Sequence, residues 1–152
     1  MRREILFKAK RKNWRELPKE EQWVYGYYVS GINSYEEQVH IIFDPTTIFH
    51  SNGETDGWDE IDPETLCQYT GLTDRNGNNI WENDIVERTD RRNGLYLFRE
   101  QPKMNCKVVY SHRHGFDTEP SCGYFDNKSA LECKVIGNVF DNKKLLKGSE
   151  QE

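Results

Sequence analysis

Hydrophobic and polar residues alternate along several short stretches of this chain, and a period of two is typical of half-buried β-strands. Such stretches, or short β-branched and aromatic runs, cover residues 4–10, 23–29, 39–43, 95–98, 106–110 and 131–136. Gly, Pro, Asn and Asp separate them, as turn-forming residues do. The pattern predicts a mainly β chain, that is, an α+β chain with only short helical turns.

The most aromatic of these stretches is residues 23–29. Its alternation places Trp23, Tyr25 and Tyr27 on one face of a strand. We predict that these three side chains pack in the core. Gly26, on the opposite face, would permit close approach of another backbone or side chain.

Polar segments separate the predicted strands. Asp62-Pro63 is a helix-start signal, with Asp at the cap and Pro at the first helical position, and it predicts one helical turn. Residues 50–60 are expected to form a polar loop, residues 112–122 an irregular segment, and residues 141–146 a closing helical turn.

The densest turn signals lie within residues 68–86. Asn76 and Gly77 tolerate positive φ, so this pair predicts a hairpin turn. Asn83 is expected in the left-handed region at a second turn. A turn, a short arm, a second turn and a strand form the order in which many small SH3-like barrels begin.

This order suggests two β-rich subdomains. The first would cover residues 1–66. The second would cover residues 67–152 and form a small SH3-like barrel with a closing strand and a short helical turn.

The same region resembles the signature of a known family. The matching blocks are Asp62-Pro63-Glu64-Thr65, QYTGL at residues 68–72, Asp74-Arg75-Asn76-Gly77 and Asp84-Ile85-Val86. Further blocks are residues 3–9, WVYGYY at residues 23–28 and VIGNVFDN at residues 135–142. Together they resemble the YopX family of small bacteriophage and prophage proteins, over nearly the whole chain.

Two positions depart from that family's pattern. Asn83 stands where Gly is usual, which is compatible with the same turn. Lys10 stands where Trp is common, so any role carried by that aromatic does not transfer. The resemblance implies a phage or prophage protein and assigns no activity to particular residues.

The amino-acid composition further restricts the classes of protein to which the chain can belong. Hydrophobic residues make up 35% of the chain and aromatic residues 12%, so aromatic side chains must supply much of the buried area. No apolar run approaches the about 20 residues that span a membrane. The chain starts with charged residues and lacks the apolar core of a signal peptide. We expect a protein of the host bacterial cytoplasm that makes no membrane contact.

Charge is distributed unevenly along the chain. Residues 1–20 hold eight Lys and Arg and three acids, residues 21–70 hold ten acids and no Lys or Arg, and residues 71–152 balance. The basic start could bind nucleic acid, lie against the acidic middle of the same chain or of a neighbouring copy, or remain solvated. The net charge of −5 disfavours nucleic acid at long range. The candidate nucleic-acid contacts are Arg2, Arg3, Lys8, Lys10, Arg11, Lys12 and Arg15.

Metal-ligating and catalytic groups form no recognisable constellation. Cys106, His112, His114 and Cys122 could be drawn as a zinc site, but structural zinc ligands usually come in closely spaced pairs. The acids between residues 56 and 62 lack calcium-loop spacing, and neither a P-loop nor a dinucleotide-binding glycine pattern occurs. We expect reduced cysteines, no metal, no cofactor and no enzymatic activity.

Two tryptophans are the candidate partner-binding residues. Trp81 precedes the strand at Asp84, where SH3-like barrels often present a ligand groove, and Trp58 lies in a polar loop beside acids. Exposed aromatics beside acids favour basic or proline-rich protein segments. The alternative for Trp81 is a structural role at the open end of the barrel.

We therefore predict a non-enzymatic phage or prophage accessory protein, a self-assembling module that binds host or phage proteins. A nucleic-acid-associated phage protein that uses the basic start is the alternative. Unpaired sheet edges favour pairing between copies, so we expect a homo-oligomer.

Overall fold

The computed structural model describes residues 5–44, 51–52, 57–90 and 102–147. Within these ranges the chain forms ten strands, two four-residue helices and three 3-10 turns. The strands are β1 (Phe7–Lys10), β2 (Trp23–Ile32), β3 (Gln38–Phe43), β4 (Trp58–Glu60), β5 (Cys67–Thr73), β6 (Asn79–Trp81), β7 (Asp84–Thr89), β8 (Lys103–Ser111), β9 (Gly115–Glu119) and β10 (Lys134–Asn138). The helices are α1 (Asn127–Ala130) and α2 (Lys144–Lys147), and the 3-10 turns are Trp14–Glu16, Lys19–Glu21 and Pro63–Thr65. The predicted mainly β class with short helical turns is confirmed.

The chain divides into two compact units, residues 1–69 and residues 70–152. One antiparallel sheet has the strand order β4-β3-β2-β1-β5-β6, and the other has the order β10-β7-β8-β9. Strand β5 begins in the first unit and ends in the second.

Both predicted turns are present, but the SH3-like barrel is not found. Gly77 has φ +81° and donates its N–H to the Asp74 carbonyl at 3.0 Å, and Asn83 has φ +69°. Within the described ranges neither sheet closes, and β9 and β10 form the two edges of the four-stranded sheet. Strands β6 and β7 follow one another across the Asn83 turn yet belong to different sheets. The turn residues determine where the chain reverses and leave open which strands pair.

The first unit buries the face of β2 opposite to the predicted one. Tyr25 is 51% exposed and Tyr27 is 47% exposed, so the prediction that they pack in the core is wrong. On the other face, Gly26 lies so close to Phe43 that an added Cβ would be 2.8 Å from its carbonyl carbon. The core consists of Ala9, Val24, Ile42 and Ile61, with Phe7, Tyr28 and Leu66 packed against them. The backbone at the end of β3 leaves no room for a side chain at residue 26, and the two tyrosines next to it point outward.

The second unit has its own core. The buried members are Ile80, Val86, Cys106, Val108, Cys122, Ala130 and Cys133. Beside this core, the fully buried Asp74 carboxylate accepts backbone N–H bonds from Asn76, Asn78 and Val135, each at 2.9 Å. One side chain therefore ties the hairpin turn to β10.

Other predicted elements can be placed individually. The helical turn after Asp62 is confirmed at Pro63–Thr65, with the Asp62 carboxylate accepting the Glu64 N–H at 3.1 Å. Trp58–Glu60 is a strand paired with β3 where a loop was predicted, and β9 lies in the segment predicted to be irregular. The predicted strand at residues 95–98 lies outside the described ranges. Of the helices described, none is long and apolar enough to cross a membrane.

Candidate functional site

Three aromatic residues stand in one row across the first unit's sheet. Tyr27 on β2 is directly opposite Phe43 on β3, and Phe43 is directly opposite Trp58 on β4. Directly paired residues share a face of the sheet, with Cβ atoms about 5 Å apart. Tyr27 and Trp58 are each 47% exposed, and Phe43 between them is half-buried. These three residues are called the aromatic row.

Apolar residues extend the row on the same outer face. Two residues along the strands from the Tyr27–Phe43 pair, Val29 pairs with Ile41. Val29 is 49% exposed and Ile41 is half-buried. Tyr25, two residues before Tyr27 on β2, continues the face in the other direction. The aromatic row together with Tyr25, Val29 and Ile41 is called the aromatic face. It is an apolar patch on a sheet, at a place where half-buried strands usually carry polar residues.

The charge around the aromatic face is mixed. The strands β2, β3 and β4 contain no Lys or Arg, and Glu60 lies opposite Ile41 at the edge of the face. Lys8 of β1 lies directly opposite Tyr25, with its ammonium group over the Trp23 ring. Glu60 pairs with Lys12 at 3.2 Å, and both side chains are partly exposed. A surface ion pair of this kind contributes little stability and exchanges readily with other charges.

Two of the predicted nucleic-acid contacts, Lys8 and Lys10, are buried. Lys8 Nζ lies 4.7 Å from the centre of the Trp23 ring, and Lys10 Nζ lies 3.9 Å from that of Trp14. Lys10 Nζ also donates to Gln22 Oε1 at 2.9 Å. The aromatic ring faces and the Gln22 amide stabilise the buried positive charges of the two ammonium groups. These lysines are therefore poorly placed to reach a phosphate.

The remaining cations of the basic start are placed differently. Arg11 bonds Asp59 at 3.0 Å and also donates to the Glu21 carbonyl. The exposed Arg15 lies over the Trp14 ring at 4.3 Å. Arg2 and Arg3 lie outside the described ranges. Together with the Lys12–Glu60 pair, this arrangement agrees with the interpretation in which the basic start lies against the acidic middle of the same chain.

Trp81, the second candidate partner-binding residue, is only 7% exposed. Its backbone N–H donates to Asp84 Oδ2 at 2.9 Å, and the ring belongs to a buried part of the second unit. The structure therefore separates the two tryptophans that the sequence grouped together. Trp58 lies on the surface and Trp81 does not.

Replacing Trp81 with Ala is expected to lower the free energy of unfolding by about 3–4 kcal/mol, because a large buried ring is removed. The matched change of the half-exposed Trp58 to Ala should cost about 1 kcal/mol. Urea unfolding followed by circular dichroism measures both. Equal losses for the two variants would contradict the placement of the two rings.

The residues drawn as a possible zinc site do not gather. Cys106 and Cys122 lie in the second unit's core with their Sγ atoms 3.9 Å apart, whereas His112 and His114 are exposed in the turn between β8 and β9. Burial, followed by the neighbouring Cys122 thiol, raises the pKa of Cys106 to about 12. Among the described residues no three His, Cys, Asp or Glu side chains form a metal-binding group.

The aromatic row could not be found from the sequence. Phe43 and Trp58 are separated by a polar segment, and only the pairing of β3 with β4 brings them together. The available signal was the alternation in residues 23–29, which placed Tyr25 and Tyr27 on one face of β2 but led to the wrong prediction that this face is buried.

Fold and surface define a mainly β protein of two units, with an aromatic face on the first. A protein-family model described as "YopX protein" matches residues 14–147, and the chain belongs to the YopX family. Among solved structures the chain is similar to the crystal structure of protein EF1440 from Enterococcus faecalis, with 21% sequence identity and a TM-score of 0.57. That match covers 94% of this chain and 98% of the other, and at this identity it shows the fold alone. Comparison with curated proteins gives no significant match.

Proposed function

We propose that this YopX protein is a non-enzymatic phage or prophage accessory protein that binds other proteins through the aromatic face. The observation that carries this function is the aromatic row, Tyr27–Phe43–Trp58, held on the outside of a sheet. Tyrosine and tryptophan are enriched at binding hot spots because each offers a large rigid area with few rotatable bonds.

The size of the aromatic face suits a short segment of a partner protein. A fully buried aromatic side chain contributes about 150–250 Å², so Tyr27 and Trp58 each present roughly 100 Å². The six residues together present on the order of 400–500 Å², which is the size of a functional patch on a monomer. Stable complexes bury about 800 Å² on each partner. A transient complex with a peptide segment is therefore the better fit.

The exposed rings and Glu60 favour a basic segment. Strands β2, β3 and β4 have no cation of their own, and Lys8 of β1 already lies over Trp23. A Lys or Arg on a ring face adds about 0.5–2 kcal/mol. The chain already uses this packing elsewhere, where Lys10 and Arg15 lie over Trp14. A partner segment with Lys or Arg would meet both the rings and Glu60.

Self-assembly belongs to the same proposal. Residues 1–20 carry a net charge of +5, and a second copy of the chain would supply this basic segment by exchanging the exposed Lys12–Glu60 ion pair for one between copies. Nucleic acid remains the alternative partner, but Lys8, Lys10 and Arg11 already have partners within the chain. Failure to bind DNA or RNA even at low salt, where attraction to phosphate is strongest, would exclude it.

The test is a peptide array of basic, acidic and neutral segments, probed with the wild-type protein and with a Tyr27→Ser/Trp58→Ser variant. Basic peptides are expected to dominate the bound set, and their dissociation constants should rise at least tenfold in the double variant. Tyr35→Ser is the matched control, because Tyr35 is 82% exposed and lies in the β2–β3 turn, away from the aromatic row. It should bind as the wild type does.

Two results would contradict the proposed function. One is that the peptides bound by the wild type are not enriched in Lys and Arg. The other is that the double variant binds them with the dissociation constants of the wild type. Sedimentation of the wild type and the double variant over a range of concentrations shows whether the aromatic face binds a second copy of the chain or only other proteins. Self-association through this face should disappear in the variant.

A further inference from the structure

A cavity of about 390 Å³ opens beside a buried arginine in the second unit. Arg88 of β7 forms part of its wall and is only 6% exposed. Tyr124, Asp126, Lys128 and Glu132 also line the cavity. The cavity belongs to the second unit alone, so a ligand site there is independent of the proposed protein-binding face.

The partners of the Arg88 guanidinium are neutral. Nη1 donates to Thr118 Oγ1 at 2.7 Å, Nη2 donates to the Tyr124 carbonyl at 2.9 Å, and the Phe125 ring centre lies 5.4 Å away. These bonds use two of the five N–H donors of a guanidinium. Across the described part of the chain, Arg88 forms no ion pair with a carboxylate.

A buried cation without a directly bonded carboxylate is costly, and arginine cannot escape that cost by losing its proton. The thiols of Cys106 and Cys133 supply no negative charge. Burial raises the pKa of both Cys106 and Cys133, that of Cys106 to about 12, so both are neutral at physiological pH. The Arg88 guanidinium, a planar group with parallel N–H donors, thus lies at the wall of a cavity. No carboxylate of the described chain is paired with it.

We infer that this cavity binds a small carboxylate, which accepts hydrogen bonds from the remaining donors of Arg88. Arginine suits a carboxylate because its fork matches the two oxygens. Lys128 adds a second positive charge to the wall, and Asp126 and Glu132 balance it. Asp126 and Glu132 would repel a phosphate dianion about twice as strongly as a monoanion, so a carboxylate is favoured over phosphate.

The test is a titration of the full-length ¹⁵N-labelled protein with acetate, benzoate and inorganic phosphate, at constant ionic strength set by sodium chloride. Saturable shifts of the Arg88 Nε–H and of the Tyr124 amide are expected with a carboxylate. Arg88→Lys should raise the dissociation constant at least tenfold, since the fork is lost while the charge stays. Arg75→Gln, which removes an exposed arginine of the same unit, should leave it unchanged.

Absence of saturable shifts with both carboxylates would overturn the inference. So would equal binding by Arg88→Lys, or shifts that phosphate alone produces. The melting temperature provides a readout that needs no variant: acetate or benzoate should raise it above its value in chloride at the same ionic strength. No such rise in the wild type would also count against the site.

Discussion

Replacing Gly26 with Ala is expected to unfold the first unit or to destabilise it by more than about 4 kcal/mol. Gly26 has φ +153°, and an added Cβ would overlap the carbonyl oxygen of Phe43 and lie 3.3 Å from the Asp44 Cα. All of these obstacles are backbone atoms, so no side-chain rotation relieves the clash. β2 and β3 would have to separate where Tyr27 meets Phe43. Thermal unfolding followed by circular dichroism measures the loss.

Gly31 provides a matched control on the same strand. A Cβ added there meets no atom within 4 Å, and its φ is not positive. Gly31→Ala should therefore remain within about 0.5 kcal/mol of the wild type. A Gly26→Ala variant with a wild-type melting temperature would contradict the close approach of β2 and β3.

Replacing Asp74 with Ala is expected to lower the free energy of unfolding by about 3–5 kcal/mol. The change empties a fully buried side-chain position and leaves the partly buried backbone N–H groups of Asn76, Asn78 and Val135 without their acceptor. An unsatisfied buried donor costs about 1–3 kcal/mol, and a partly buried one costs less. The link between the hairpin turn and β10 would be lost with them. Urea unfolding at neutral pH measures the difference, and a loss below about 1 kcal/mol would contradict the geometry.

The Asp74 carboxylate also makes stability depend on pH. Burial raises its pKa, but the hydrogen bonds from Val135, Asn78 and Asn76 outweigh this, and the net pKa is lowered. A carboxyl group with a lowered folded-state pKa stabilises the fold above its unfolded pKa of about 3.9, and this contribution is lost as pH falls through the folded pKa. The stability gap between the wild type and Asp74→Asn should therefore narrow from pH 7 towards pH 3. A constant gap would show that the charge of Asp74 plays no part.

The features predicted correctly from the sequence are local ones, which depend on residues close together along the chain. Gly77 and Asn83 have the positive φ expected of them, because glycine and asparagine adopt that conformation at little cost. The Asp62-Pro63 signal gave its helical turn for a similar local reason. Alternation located β1 and β2, since a period of two needs no knowledge of the partner strand.

Features that depend on distant residues could not be predicted in this way. The outward direction of Tyr25 and Tyr27 follows from the burial of the opposite face of β2, where Val24 joins a core with Ala9 of β1 and Ile42 of β3. Asp74 was recognisable as a turn residue, but its bond to Val135 spans 61 positions.

Buried cations were the least predictable feature of the chain. Lys10 and Arg88 occupy strand positions that a polarity pattern assigns to the surface, yet both are buried in contact with aromatic rings. Long side chains with apolar stems can be buried in this way when rings or polar groups receive the charge.

The proposed function requires that the aromatic row faces solvent in the free chain and is covered by a basic segment in the complex. Hydroxyl-radical footprinting of the chain alone, and of the chain with a basic peptide from the array, measures both states. Tyr27 and Trp58 should be oxidised in the chain alone and protected in the complex, while Tyr35 and Tyr124, at 82% and 91% exposure, should react in both. Protection of Tyr27 and Trp58 in the monomeric chain alone would contradict the exposure of the aromatic row. Unchanged reactivity of the two residues in the complex would contradict the proposed binding of a basic segment there.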